Sequence, residues 1–324
     1  MRALQVTSLS SDLSGCELVD LPVPKRRPGE ALVRIHATSL NFPDLLMTRG
    51  EYQFKPEPPF ISGMELSGEV IAVDTDSSLA VGDRVMGGSK TGAMAGYAAV
   101  PERNLRLVPE GLDYPKAAAL GAAYTTAYTA LVEQGALEAG QWVLVHGASG
   151  GVSLAAIDLA KSLGAKVIAA TGSPEKMERI GALYAPDAVI ESVGRFREQV
   201  AEITDGKLCD LVLDTVGGDI FDESTRCVAF AGKLLVVGFV GGRIADIATN
   251  IPLIKGFSVV GVRAGEYARR FPDRGKSIAD EVSRMASAGQ ITPAIDRALP
   301  LSEWRQAFEA MANRELVGKV ILIP

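Results

Sequence analysis

Apolar residues recur along this chain in two rhythms. From residue 1 to about 122 they come as short runs cut by Gly and Pro, such as Ala31-Leu-Val-Arg-Ile-His36, Gly68-Glu-Val-Ile-Ala-Val73 and Gly82-Asp-Arg-Val85. Short strands between frequent turn residues predict an antiparallel, barrel-like domain. From 123 the grammar changes. Six near-continuous apolar runs, at 143–145, 166–171, 188–190, 210–215, 233–239 and 257–262, alternate with helical patterns. Strands of that kind are buried on both faces, which predicts a parallel sheet covered by helices. Two helical patterns follow, near 276–288 and 302–312, and then a last strand at 319–323. A terminal strand so far from the parallel block is expected to rejoin the first domain. The pattern therefore gives an α/β chain with a discontinuous mostly-β domain, 1–122 plus 263–324, and a parallel-sheet domain, 123–262.

The most informative stretch is Gln141 to Leu163. Val143, Leu144 and Val145 run into Gly147-Ala148-Ser149-Gly150-Gly151, and an Ala-rich amphipathic helix pattern follows. Strand, glycine turn and helix in that order make a phosphate cradle, because small residues admit a pyrophosphate and the helix start offers N–H donors. The spacing Ala148-x-Gly150-x-x-Ser153 replaces the outer glycines of G-x-G-x-x-G by Ala and Ser, and Ser153 is expected to sit tighter against the strand than glycine would. Ala148, Ser149, Gly150, Gly151 and Val152 are thus candidate dinucleotide-binding residues. At the tip of the next strand, residues 169 to 173 contain no acid. A carboxylate there takes the ribose hydroxyls of NAD and repels a 2′-phosphate. Thr171, Ser173 and Lys176 instead offer hydroxyls and an ammonium, which points to NADPH.

Charge and cysteine content narrow the class. The 324 residues carry a net charge of −6 with acids and bases interspersed, which argues against a nucleic-acid or anionic-membrane surface. Three scattered cysteines, Cys16, Cys209 and Cys227, form no C-x-x-C pair. The start, MRALQVTSL, alternates like a strand and lacks a signal peptide's apolar core. No apolar run approaches the ~18 residues of a bilayer span. A cytoplasmic protein of a reducing compartment is expected. There are two histidines, His36 and His146, both in strand patterns, so a zinc site built from several N or S ligands is not expected.

Eight segments in order carry a resemblance to a known family: Asn41-Phe-Pro-Asp44 with Arg49-Gly-Glu-Tyr52, Gly63-Met-Glu-Leu-Ser-Gly-Glu-Val70, Gly82-Asp-Arg-Val85, Tyr124-Thr-Thr-Ala-Tyr128, Val145-His-Gly-Ala-Ser-Gly-Gly-Val152, Asp214-Thr-Val-Gly217 and Leu316-Val-Gly-Lys319. Over essentially its whole length the chain resembles the zinc-free quinone oxidoreductase (ζ-crystallin-like) branch of the medium-chain dehydrogenase/reductases. The resemblance implies a GroES-like, mostly-β catalytic domain plus a Rossmann doubly wound parallel sheet. Zinc-dependent members place Cys where this chain has Asn41 and His where it has Met64.

The resemblance also assigns roles. It puts Asn41 near the nicotinamide and substrate in an interdomain cleft, Tyr52 on the rim as a proton or hydrogen-bond donor, and Thr125 against the nicotinamide carboxamide. Phe239 and Val240 match the segment beneath the nicotinamide ring, and Arg314 matches a tail contact to the cofactor phosphate. The activity implied is NADPH-dependent reduction of a small-molecule quinone or conjugated carbonyl. Enoyl-thioester or enone reduction on the same fold is one alternative, and a crystallin-like, NADPH-binding structural protein is another. Members of the family are typically homodimers, here through the edge strand Phe257–Val262.

Overall fold

The computed structural model describes residues 1–324 and divides the chain into two units. Met1–Gly121 and Ile295–Pro324 form the first, and Ala122–Ala294 the second. No helix is long and apolar enough to cross a membrane.

In chain order the first unit contains β1 (Arg2–Val6), β2 (Cys16–Asp20), β3 (Glu30–Leu40), α1 (Phe42–Arg49), β4 (Phe60–Ile61), β5 (Glu65–Ala72), β6 (Arg84–Gly88), β7 (Tyr97–Pro101) and β8 (Leu105–Leu107). Helix α2 (Tyr114–Tyr128) leads into the second unit and passes into a π-helical turn, Thr129–Gln134. Then come β9 (Trp142–His146), α3 (Gly151–Ser162), β10 (Lys166–Thr171), α4 (Pro174–Tyr184), β11 (Ala188–Glu191), α5 (Arg197–Ile203), β12 (Cys209–Asp214), α6 (Gly218–Ser224), β13 (Val228–Val236), α7 (Asn250–Lys255), β14 (Ser258–Gly261), α8 (Ala264–Arg270) and α9 (Pro272–Ser287). The chain closes the first unit with β15 (Ile295–Pro300), α10 (Trp304–Ala312) and β16 (Lys319–Ile323).

Strand β3 organises the first unit. Its early residues pair with β7, its last residues pair with β16, and β5 runs along its other side, all antiparallel. Strand order in this sheet is β15-β16-β3-β5-β6-β8, and a small sheet β2-β1-β4 lies apart from it in pairing. One apolar core joins Leu4, Leu40, Leu45 and Met47 to Trp304, Phe308 and Leu322 from the tail, with Tyr52, Phe54 and Met64 packed on its margin. The last strand does return to the first unit.

The second unit is a six-stranded parallel sheet in the order β11-β10-β9-β12-β13-β14. Numbered within the unit this is 3-2-1-4-5-6, the doubly wound order with its switch point between β9 and β12. Val143–Val145, Val167–Ala170 and Val212–Leu213 are fully inaccessible, which accounts for the unbroken apolar runs of the sequence.

The boundary at 263 needs correction. Residues 263–294 stay with the second unit, and the chain crosses back at 295. Helix α9 buries Ile278, Val282, Met285 and Ala286. Tyr267 donates to Glu133, while Thr292 gives its N–H to Asp158 and accepts from Tyr184. A helical repeat shows that a face is buried without showing which unit buries it. Strand β13 also differs from the run read at 233–239: it spans Val228–Val236, so Phe239 and Val240 lie in the segment after it.

Candidate functional site

The glycine turn stands at the carboxyl end of β9, beside the switch point, where a doubly wound sheet receives its ligand. Gly147 has φ +60°, and a Cβ built on it would lie 2.6 Å from Thr215 Oγ1 and 3.3 Å from Val216 Cγ2. Only glycine meets both demands. Gly150 then accepts from Leu154 as the residue before α3 and donates to Gly147 O at 2.8 Å. The first N–H groups of α3, from Gly151 and Val152, have no partner within the helix and make an anion-binding end.

Ser153 replaces the third glycine with a hydrogen bond instead of a close backbone approach. It is buried, and its Oγ donates to His146 O at 2.8 Å. Thr215 Oγ1 donates to the same carbonyl at 3.2 Å. Helix α3 and the end of β12 are thus both tied to the last residue of β9. Below them the His146 ring is wholly buried, with Nε2 2.8 Å from Ser224 Oγ, and burial pulls its pKa down to about 3.

Other residues singled out in the sequence lie along the same edge of the sheet. Thr171 ends β10, is buried, and accepts from the Ser173 N–H at 3.3 Å; Lys176 follows in the first turn of α4. Val240 N–H donates to Thr215 O at 3.1 Å, and the Phe239 ring covers Gly217. Asp214 anchors this corner by accepting from Val216 and Gly217, although burial raises its pKa. Ala148, Ser149, Gly150, Gly151, Val152, Thr171, Ser173, Lys176, Phe239 and Val240 therefore share one end of one sheet. Thr125 belongs to the same unit but sits on α2, outside the sheet; its carbonyl accepts from Thr129 Oγ1.

Asn41, Tyr52 and Arg314 belong to the first unit. Arg314 is exposed and follows α10 with φ +59°. Tyr52 is half-buried, two residues beyond Gly50, whose φ of +71° ends α1. Asn41 precedes α1 and is surrounded by polar side chains. The buried Lys319 ammonium donates to Asn41 Oδ1 at 2.6 Å and lies 3.7 Å from Glu65 Oε2. Asn41 Nδ2 donates to Ser39 O and to Glu65 Oε2, each at 3.2 Å, and the Asn41 N–H is accepted by Asp44 Oδ2 at 2.8 Å. Burial pushes the Asp44 carboxyl up to about 7 and lowers the Lys319 pKa, with Glu65 and Asp44 opposing the shift on the lysine.

Sequence reading assigned no role to Lys319 or Thr215, although both fall in the family segments. A lysine opening the wholly apolar strand KVILI was the available signal for Lys319. No group of three or more His, Cys, Asp or Glu side chains is gathered as a metal site.

Two family profiles match this chain: the alcohol dehydrogenase GroES-like domain over residues 27–110 and the zinc-binding dehydrogenase over residues 151–280. The chain is 37% identical over 324 residues to the quinone oxidoreductase-like protein 2 of Bos taurus, covering 99% of this chain and 92% of the relative. Among solved structures, a probable oxidoreductase from Mycobacterium abscessus superimposes with a TM-score of 0.92 at 35% identity, covering 100% of this chain and 99% of that one. The quinone oxidoreductase of Thermus thermophilus, solved also as its complex with NADPH, gives 0.84 at 29% identity with both chains fully covered.

Proposed function

Since the chain belongs to the medium-chain dehydrogenase/reductase family, in its quinone oxidoreductase-like branch, we propose that it is an NADPH-dependent, zinc-independent reductase of quinones. The observation that carries this reading is the backbone cradle of Gly147 at the switch point, with an acid-free tip on the neighbouring β10. A Cβ at Gly147 would meet Thr215 and Val216, so the glycine lets the turn pack against the end of β12 at the switch point. The N–H groups of Gly151 and Val152 bind the pyrophosphate, while Thr171, Ser173 and Lys176 take the 2′-phosphate. Phe239 and Val240 support the nicotinamide end, Thr125 orients its carboxamide and Arg314 adds a phosphate contact.

When bound, NADPH supplies the hydride, and the quinone takes one further proton to reach the hydroquinone. Tyr52 holds that proton on its phenol oxygen. Metal independence is supported by where the possible ligands lie. His36 stacks on Tyr114, His146 is sealed against Ser224, and all three cysteines are free and buried.

The protein is further proposed to act as a homodimer through the edge strand β14. Phe230, Leu253 and Ile254 support this, being 84%, 80% and 75% exposed on β13 and on α7, the helix that leads into β14. Leu253→Asp is expected to halve the mass seen by sedimentation.

The activity is tested by following NADPH absorbance with a benzoquinone and naphthoquinone series run beside crotonyl-CoA. Turnover with quinones alone supports the reading. Turnover with the thioester alone replaces it by enoyl-thioester reduction, and NADPH binding without turnover leaves a non-catalytic binding protein.

A further inference from the structure

Strand order brings the polar cluster of the first unit together. Val320 pairs with Leu40, so Lys319 stands opposite Asn41, the first residue beyond β3. On the other side of β3, Ser39 pairs with Glu65. The ammonium and the carboxylate therefore reach Asn41 from two different neighbours of the central strand. Both Asn41 amide hydrogens are already taken, by Ser39 O and Glu65 Oε2, and its oxygen receives the shortest bond of the group, from Lys319.

Burying an ammonium is expensive, and well-packed apolar residues in its place are often as stable or more so. The cluster does gain geometric definition. Asn41 is the N-cap of α1, and Asp44 returns a carboxylate oxygen to the Asn41 N–H, closing that end of the helix. Leu45 and Met47 hold the middle of α1 in the core, and the Gly50 cap delivers the chain to Tyr52. Fixing Asn41 fixes the start of the segment that carries Tyr52.

We propose that Lys319 is a positioning residue: its ammonium clamps the Asn41 amide and so sets the β3–α1 junction and the Tyr52 segment that follows. Asn41 then serves as a bracket and not as a donor to the acceptor. This rests on the quinone-reductase reading above.

The test is a double-mutant cycle of Lys319→Met and Asn41→Leu, read three ways: denaturant stability, NADPH Kd by nucleotide fluorescence, and kcat and KM for a benzoquinone. Lys319→Met is expected to lower kcat roughly 10–100-fold, the scale of an ångström-sized misplacement. NADPH Kd is expected to stay within about two-fold, since the cradle residues belong to the other unit, and the double variant is expected to be no slower than Asn41→Leu alone. Losses in kcat that multiply, or a kcat that survives while stability falls, would overturn the proposal and leave Lys319 a structural ion. Should Lys319→Met fail to fold, Lys319→Gln keeps a donor without the charge and carries the same cycle. A wild-type chain that leaves NADPH unconsumed with every quinone overturns the functional reading, and with it this proposal. That result is distinct from failure of the cycle, which requires an active wild type.

Discussion

The glycine turn of the second unit and the lysine cluster of the first are built from opposite materials. The turn is made of main chain: its donors are backbone N–H groups, and its side chains matter chiefly by being small. The cluster is made of side chains: an ammonium, an amide and two carboxylates, placed by strands whose backbone is ordinary. The turn consequently tolerates changes of composition, as Ala148 and Ser153 in place of glycine show, but not of conformation at Gly147. The cluster would accept changes of backbone detail but not the loss of one charge, since each buried partner would be left uncompensated.

Gly147→Val is the strongest way to break this contrast. A β-branched residue at φ +60° whose Cβ falls 2.6 Å from Thr215 Oγ1 should cost about 1–3 kcal/mol of stability. It should also weaken NADPH binding by ~10-fold or more, a loss of about 1.4 kcal/mol. Gly265→Ala, on α8, is the matching control. No atom lies within 4 Å of its added Cβ, so fluorescence titration and melting should be unchanged to within about 0.5 kcal/mol.

Acidity separates the units next. Burial raises Asp44 from 3.8 to about 7 and lowers His146 from 6.5 to about 3. Between pH 3.8 and about 7 the folded chain keeps a proton on Asp44 that the unfolded chain has lost, so this contribution to stability falls as pH rises. Between about 3 and 6.5 the unfolded chain carries a proton that buried His146 refuses, so the His146 contribution rises with pH. Each slope is at most ~1.4 kcal/mol per pH unit. Denaturant titrations from pH 4 to 7 should show a steeper rise of stability with pH in Asp44→Asn and a shallower one in His146→Gln.

The smallest effect belongs to Ser153→Ala. It removes the 2.8 Å bond to His146 O while Thr215 still donates to that carbonyl. About 1 kcal/mol of stability should be lost, with NADPH affinity changed less than about three-fold.

Much of the second unit was legible because its signals are local. An apolar strand, a glycine turn and an amphipathic helix are contiguous, and the missing acid at the tip of β10 is a matter of five residues. The cluster was not legible in the same way. Asn41, Glu65 and Lys319 are brought together by antiparallel register across β5, β3 and β16, and neither spacing nor periodicity reports such pairing. The same reason explains the misplaced crossing at 263. Helix α9 shows its buried face in the sequence, whereas the hydrogen bonds that hold residues 290–294 to the second unit come from Asp158 and Tyr184, more than a hundred residues earlier.

The pairing of β16 with β3 also bears on how the protein is made. On the ribosome the parallel sheet of residues 122–294 emerges whole while the first unit still lacks β15, α10 and β16. Until synthesis reaches Ile323, the closing end of β3 has an open edge, and the core that takes Trp304, Phe308 and Leu322 is unfilled. The second unit can therefore fold before the first, which, although begun earlier, is completed only once β16 is available to pair with β3.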